Sequence, residues 1–168
     1  YAVLESSLGN FARAHSAQIV FFNQVTGPTS VENDSIPTAW MTDLLRVDGI
    51  DAIHINKSLA PAMLKACYGQ MDAFLATRLH SGIYAMGMNV PTLFIGYLTK
   101  TQGIVRSLGI EDDFMDISDL SEEIVRAKLE ALWIKRNEKR THLAKVLAQA
   151  QQEQAESVEL LKEDFRND

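Results

Sequence analysis

The sequence predicts an α/β domain: a mostly parallel, Rossmann-like sheet with helices on both faces. Three observations predict it. Short apolar runs rich in β-branched and aromatic residues alternate with helical patterns through residues 1–118, the alternation that builds parallel strands joined by helical crossovers. The strand-like runs are apolar nearly throughout, as strands buried on both faces are. From residue 119 onward the chain contains no Gly or Pro, which predicts a long C-terminal helix.

Taken in order, Leu4, Leu8, Phe11 and Ala12 recur at helical spacing and predict a helix over 3–17. Ile19-Val20-Phe21-Phe22-Asn23 is an apolar run closed by a polar residue, a buried strand. Residues 25–37 hold Gly, two Pro, Thr, Ser, Asn and Asp, the composition of a loop. A helix is expected over 39–46 and a second strand over 50–55. Ser58 is placed to cap the next helix, with Pro61 in its first turn. The third strand is expected over 72–77 and the fourth over 91–95, with a short helix over 81–88 between them. Residues 101–108 read as another short helix and 114–117 as an edge strand. Asp119 and Glu122 have capping-box spacing. The expected division is a core over 1–118, a packed helix over 119–147 with a break near 137–141 as the alternative, and a polar helical tail over 148–168.

The chain opens at Tyr1 directly into a helical pattern, whereas a parallel α/β domain usually begins with a strand. The expectation is a core missing its first strand, belonging to a longer protein with a further N-terminal domain. The length of 168 residues accommodates one domain with a substantial core. The net charge of -6 argues against nucleic acid, which is bound through many Lys and Arg, but permits one small anion held by two or three local cations. Cys67 is the sole cysteine, so an internal disulfide and a cysteine-rich zinc site are excluded; a buried thiol is expected. No run approaches the ~20 apolar residues of a spanning helix. A cytoplasmic protein is expected, with the inner face of the membrane as an alternative location.

Three groups able to carry positive charge fall just past the third and fourth strands: Arg78 and His80, then Lys100. In open α/β sheets ligands bind beyond the carboxyl ends of the strands. Arg78 offers a planar fork for a carboxylate or phosphate, and Lys100 a point charge. His80 can move a proton near neutral pH. Ser81 and Gly82 are expected to open a helix whose free N–H groups add anion donors, with Gly82 letting a ligand approach the backbone. Each residue also has an ordinary structural explanation: Arg78 can pair with an acid such as Asp72, His80 can cap a helix or fill a core edge, and Lys100 can be solvated. His15, His54 and His142 are read as packing or surface residues, His54 at a helix interface or near a strand end. No histidine pair has the spacing of a metal site, and neither G-x-G-x-x-G nor a Walker motif occurs, so no metal or cofactor is expected. The run Lys135-Arg136 to Lys139-Arg140 reads as a solvated face, with an anionic membrane or acidic glycan as the alternative contact.

Five short elements in order resemble the C-terminal half of the polysaccharide pyruvyl transferase family: Arg78-Leu79-His80, then Tyr84-Ala85-Met86-Gly87, Asn89-Val90-Pro91, Tyr97-Leu98-Thr99-Lys100, and Gly103. Asn89 stands where a Gly is common. The resemblance implies one half of a two-domain enzyme similar to GT-B glycosyltransferases, moving a pyruvyl group from phosphoenolpyruvate to a saccharide acceptor. It implies that His80 lies nearest the chemistry and that Arg78 and Lys100 hold the donor's phosphate and carboxylate; Tyr97 is either a further donor contact or a core-edge aromatic with its hydroxyl satisfied. Asp34, in the long loop, is the candidate base for the sugar hydroxyl. The polypeptide alone is expected to have little or no pyruvyl transfer activity. Two other readings stay open: the sugar-nucleotide-binding half of a GT-B glycosyltransferase or epimerase, and a noncatalytic module whose C-terminal helix docks a partner or a second copy.

Overall fold

The computed structural model describes residues 1–29, 32–96 and 99–167, with the side chains of 99, 100, 160, 161 and 163–167 left out. The elements run α1 (Ala2–His15), β1 (Ile19–Phe22), α2 (Ser35–Val47), β2 (Ala52–Ile55), α3 (Pro61–Tyr68), β3 (Phe74–Ala76), α4 (Leu79–Met86), β4 (Thr92–Gly96), α5 (Thr99–Ser107), β5 (Phe114–Asp116), α6 (Glu122–Ile134) and α7 (Arg136–Asn167). The α/β class is as expected, and every strand pairing is parallel. The single expected sheet is instead two small ones, β1-β2 and β3-β4-β5. Side chains rather than ladder bonds join them. Phe22 of β1 and Phe74 of β3 both pack on the buried Tyr68 ring, at 4.9 and 4.6 Å between centroids.

One core cluster spans both sheets. Leu8 and Ala12 of α1, Met41 and Leu45 of α2, Leu93 and Ile95 of β4, and Val125, Leu129 and Leu132 of α6 are all buried in it, with Ile19, Phe21 and Leu75 packed against it. The 3.6-residue spacing on α1 and α6 and the unbroken apolar run of β4 are what allow these faces to meet. β4 is buried along its whole length between α4 and the α1–α6 layer.

Several boundaries differ from expectation for local reasons. α2 begins at Ser35, four residues early, because Pro37 sits in its first turn, where no N–H partner is required. α3 is capped by extended Ala60, not Ser58, with Pro61 at the first helical position. α6 is capped by Ser121, whose Oγ accepts the Ile124 N–H, while Asp119 belongs to a preceding 3-10 turn. The C-terminal stretch breaks at Lys135, between α6 and α7, rather than near 137–141. Leu143 of α7 is buried against Phe94, Val105 and their neighbours, and the described side chains from Ala148 onward are exposed. Among the described residues no helix is long and apolar enough to cross a membrane.

The basic run at the start of α7 is not simply a solvated face. Arg136 lies over the Trp133 ring at 4.1 Å, Arg140 Nη2 donates to the Met71 carbonyl, and Lys139 Nζ sits 2.7 Å from both oxygens of Asp113. Asp113 is buried, and burial pushes its carboxyl above the usual carboxylate range, partly offset by Lys139. Lys139→Met should therefore cost about 2 kcal/mol at pH 7 by stranding a buried charge. A carboxyl raised in the folded state contributes stability at low pH that is lost as pH rises through its folded value. The cost of Lys139→Met should accordingly shrink as pH is lowered and Asp113 protonates. Urea denaturation of both proteins across pH 4–7 reads this directly; an equal cost throughout would refute it.

Candidate functional site at the carboxyl ends of the strands

Because the strands are parallel, their carboxyl ends lie along one edge of each sheet. Asn23 and Gln24 follow β1, Asn56 follows β2, Arg78 follows β3, and α5 opens three residues after β4. Asp34 stands at the N-cap of α2 and carries the loop from β1 into the same region.

The centre of this edge is an ion pair between residues 44 apart in sequence. Arg78 donates to Asp34 Oδ1 through Nη2 at 2.9 Å and Nε at 3.3 Å. The other carboxylate oxygen, Asp34 Oδ2, accepts the backbone N–H groups of Gln24 (3.1 Å) and Val25 (2.9 Å). Asp34 is mostly buried while the Arg78 side chain keeps 42 % of its surface in solvent. The guanidinium is thus aimed by a fixed carboxylate and still offers free N–H groups outward. Asp72, the partner considered from sequence, is not the one that Arg78 meets. Asp34, read as a base, has both oxygens committed to donors.

α4 starts at Leu79, two residues earlier than expected, with extended Arg78 as its N-cap. This moves the free amides to Leu79, His80 and Ser81. Gly82 N–H is instead spent on the Arg78 carbonyl at 3.3 Å. The Ser81 side chain is buried, its hydroxyl donating to that same carbonyl at 2.7 Å. Gly82 does not make room for a ligand: a Cβ there would overlap Cε1 and Cζ of the Phe94 ring and meet Ala76 Cβ at 3.0 Å. It lets α4 lie flat on β3 and β4. His80 is exposed in the first turn of α4 and makes no side-chain hydrogen bond to a described residue. Tyr97 lies outside the described residues, and Lys100 is placed only by its backbone in the first turn of α5.

The sequence places His54 near a strand end but does not group it with Thr38, Asn23 and Asn56, the second set of polar residues on this edge. Thr38 donates its hydroxyl to the Asp34 carbonyl at 2.6 Å and lies 2.9 Å from Asn23 Oδ1. His54 Nε2 lies 3.0 Å from both Thr38 Oγ1 and Asn23 Oδ1. Asn23 Nδ2 donates to Asn56 Oδ1 at 3.2 Å. Beside them the buried Tyr68 hydroxyl donates to Gln24 Oε1 at 3.1 Å; burial foremost, with Asp34 adding, raises its pKa and keeps it protonated. The available signal was positional: Asn23 and Asn56 each stand one residue past a strand. By contrast, a groove of about 630 Å³ between α1 and α6 is rimmed by Glu122, Glu123 and Glu130, a charge that repels anions. His15 there pairs with Glu130 and packs between Phe11 and Trp133. Among the described residues no group of His, Cys, Asp or Glu could hold a metal ion.

Residues 9–99 match the family model for polysaccharide pyruvyl transferase, 91 of the 168 residues. The chain belongs to the polysaccharide pyruvyl transferase family. The matched stretch runs from α1 to the first residue of α5 and contains Asn23, Asp34, His54, Arg78 and His80, all at the strand-end edge. Membership places the chain in a family of sugar-modifying transferases. The fold is similar to that of a solved Thermobaculum terrenum O-GlcNAc transferase (K341M mutant), with a TM-score of 0.60 at 16 % identity over 87 % of this chain. The chain spans 29 % of that structure's length, so the likeness is to one portion of a larger protein. Comparison with curated protein sequences found no match.

Proposed function

We propose that this chain forms the donor-binding half of an enzyme that transfers a pyruvyl group from phosphoenolpyruvate to a sugar of a cell-surface polysaccharide or its precursor. The observation that carries this reading is the Arg78 guanidinium, fixed by Asp34 at the end of β3, with the exposed His80 two residues on in the first turn of α4. A planar fork recognises a phosphate or carboxylate in two-point fashion, and the free amides of the α4 N-terminus add donors for the same anion. Lys100, in the first turn of α5, supplies a further positive charge, and Tyr97 a further donor contact.

In this reading His80 protonates the methylene carbon of phosphoenolpyruvate. That leaves a cationic C2, which an acceptor hydroxyl attacks. Departure of phosphate and attack by a second hydroxyl close the ketal. Arg78 and Lys100 favour the charge that builds on the leaving phosphate. Asp34 acts as a positioning residue that orients Arg78. Both substrates must be held in register with water kept out, so the second domain of the enzyme is required, and the chain alone is proposed to bind donor without robust turnover.

The test is calorimetric titration of the full-length enzyme with phosphoenolpyruvate and with a panel of nucleotide sugars. Phosphoenolpyruvate should bind specifically. Arg78→Ala, and separately Lys100→Ala, should weaken that binding by about 1.5–3 kcal/mol, the scale of a charged hydrogen bond. Arg78→Lys should not restore it, because an ammonium cannot reproduce the fork. Tight binding of a nucleotide sugar with no response to phosphoenolpyruvate would transfer the assignment to the glycosyltransferase class.

A further inference from the structure

We infer that the neutral cluster Asn23, Thr38, His54 and Asn56 is the subsite for the acceptor sugar, a hexopyranoside, and that His54 is the base that takes the proton of its attacking hydroxyl. This rests on the donor reading above and adds to it the acceptor side and a base.

The argument starts from hydrogen-bond bookkeeping. The Thr38 hydroxyl lies 2.6 Å from the Asp34 carbonyl and 2.9 Å from Asn23 Oδ1, so its one proton is directed at these two oxygens rather than at His54 Nε2. Asn23 Oδ1 has no proton to give. Its amide orientation is set by the bond from Nδ2 to Asn56 Oδ1. With the amides so oriented, the two oxygens 3.0 Å from His54 Nε2 both accept, and the tautomer that matches them carries its hydrogen on Nε2. The other ring nitrogen, Nδ1, is then a bare lone pair, and it makes no hydrogen bond to a described residue. A neutral imidazole held through one N–H, with its other nitrogen free, is the arrangement of a general base.

Burial favours that state and holds the His54 imidazole below the usual histidine range, although the larger charge effect opposes it: Asp43 of α2 pulls the imidazole up by more than Arg46 of the same helix pushes it down. β1 presents only uncharged Phe21, its register partner, and Asn23. Amides and a neutral imidazole are also the groups that read sugar hydroxyls, as donors and acceptors at once. The two subsites are joined through one residue: Thr38 bonds the backbone of Asp34, whose carboxylate holds Arg78. In this inference an acceptor on the first group shares the strand-end edge with a donor on the second.

The step balances as follows. The donor's C=C electron pair takes a proton from His80 and becomes a methyl group, leaving C2 cationic. The acceptor oxygen forms a bond to C2 while its proton passes to His54 Nδ1. The second acceptor hydroxyl then attacks as the C2–O bond to phosphate breaks. Its proton leaves with the phosphate, and the proton on His54 returns to His80 through solvent. One phosphoenolpyruvate and one diol give one ketal and one phosphate.

The experiment measures phosphate release by the full-length enzyme with phosphoenolpyruvate and a panel of p-nitrophenyl hexopyranosides, together with phosphoenolpyruvate affinity. His54→Gln should lower kcat by about 100- to 1000-fold while leaving donor affinity within about twofold. The unmodified enzyme should lose kcat as pH falls and His54 protonates, and His54→Gln should remove that loss. A kcat within threefold of the unmodified enzyme, retention of that acidic limb, or parallel loss of donor affinity would overturn the assignment, as would turnover of none of the glycosides. Since His54→Gln can fail to fold, 15N NMR of the imidazole in the unmodified protein gives an independent reading. A Nε2–H tautomer is expected, and a Nδ1–H tautomer would refute the base. Absence of phosphoenolpyruvate binding in the unmodified enzyme would refute the donor reading itself; intact donor binding with unaffected turnover in His54→Gln would refute this inference alone.

Discussion

Replacing His80 by Ala is expected to lower turnover of the full-length enzyme by about 10²–10⁴-fold, the range for loss of a positioned general acid, with phosphoenolpyruvate affinity changed only a few-fold. The physical basis is its location. His80 stands exposed in the first turn of α4, two residues from the guanidinium proposed to hold the donor, and its ring is not tied to any described side chain. A group in that position costs little to delete structurally, so its loss should register in the transition state rather than in the fold or in ground-state binding. Steady-state kinetics with donor affinity measured separately makes the distinction. A matched fall in affinity and turnover would make His80 a binding residue instead. His80→Gln, which keeps hydrogen-bonding capacity but cannot deliver a proton, should resemble His80→Ala.

Gly82→Ala should destabilise the domain by about 3 kcal/mol, the upper end for overpacking a filled core. The added methyl would overlap two ring carbons of Phe94, itself buried in the centre of β4, and press on Ala76 of β3. Neither neighbour can withdraw: one is a rigid ring held by Val105, Ile110 and Leu143, the other a strand methyl. α4 must therefore lift from the sheet, and it carries Arg78 and His80 at its first turn. Loss of stability should come with loss of donor binding. Urea denaturation gives the first quantity and calorimetry the second. Phe94→Leu introduced together with Gly82→Ala should recover part of the stability, because a smaller side chain opens the space that the methyl needs. A Gly82→Ala protein as stable as its parent would show that α4 does not pack as closely as described.

What the sequence determined by itself was the pattern carried by consecutive residues. The apolar runs of β1 and β4, the helical periodicity of α1, the edge position of β5 and the parallel α/β class follow from local pattern, because burial period and strand length are properties of consecutive residues. The same holds for the Arg78-x-His80 element, whose place just past β3 is a matter of order along the chain. Helix starts were less legible. The earlier starts of α2 at Ser35 and α4 at Leu79, and the caps at Ala60 and Ser121, turn on backbone angles that the residue types permit but do not dictate.

Only the tertiary structure decided which polar groups meet. Nothing in the sequence ties Asp34 to Arg78 across 44 residues, or Thr38, Asn23 and Asn56 to His54; those pairings exist because parallel strands bring their carboxyl ends to one edge. The role of Gly82 changed for the same reason. Its missing Cβ reads locally as freedom of the backbone, but its cause is a phenylalanine twelve residues on, brought against α4 by the crossover to β4. Local pattern fixes which faces are apolar; which side chains then face one another depends on how those faces are stacked, and that is a property of the packed chain alone.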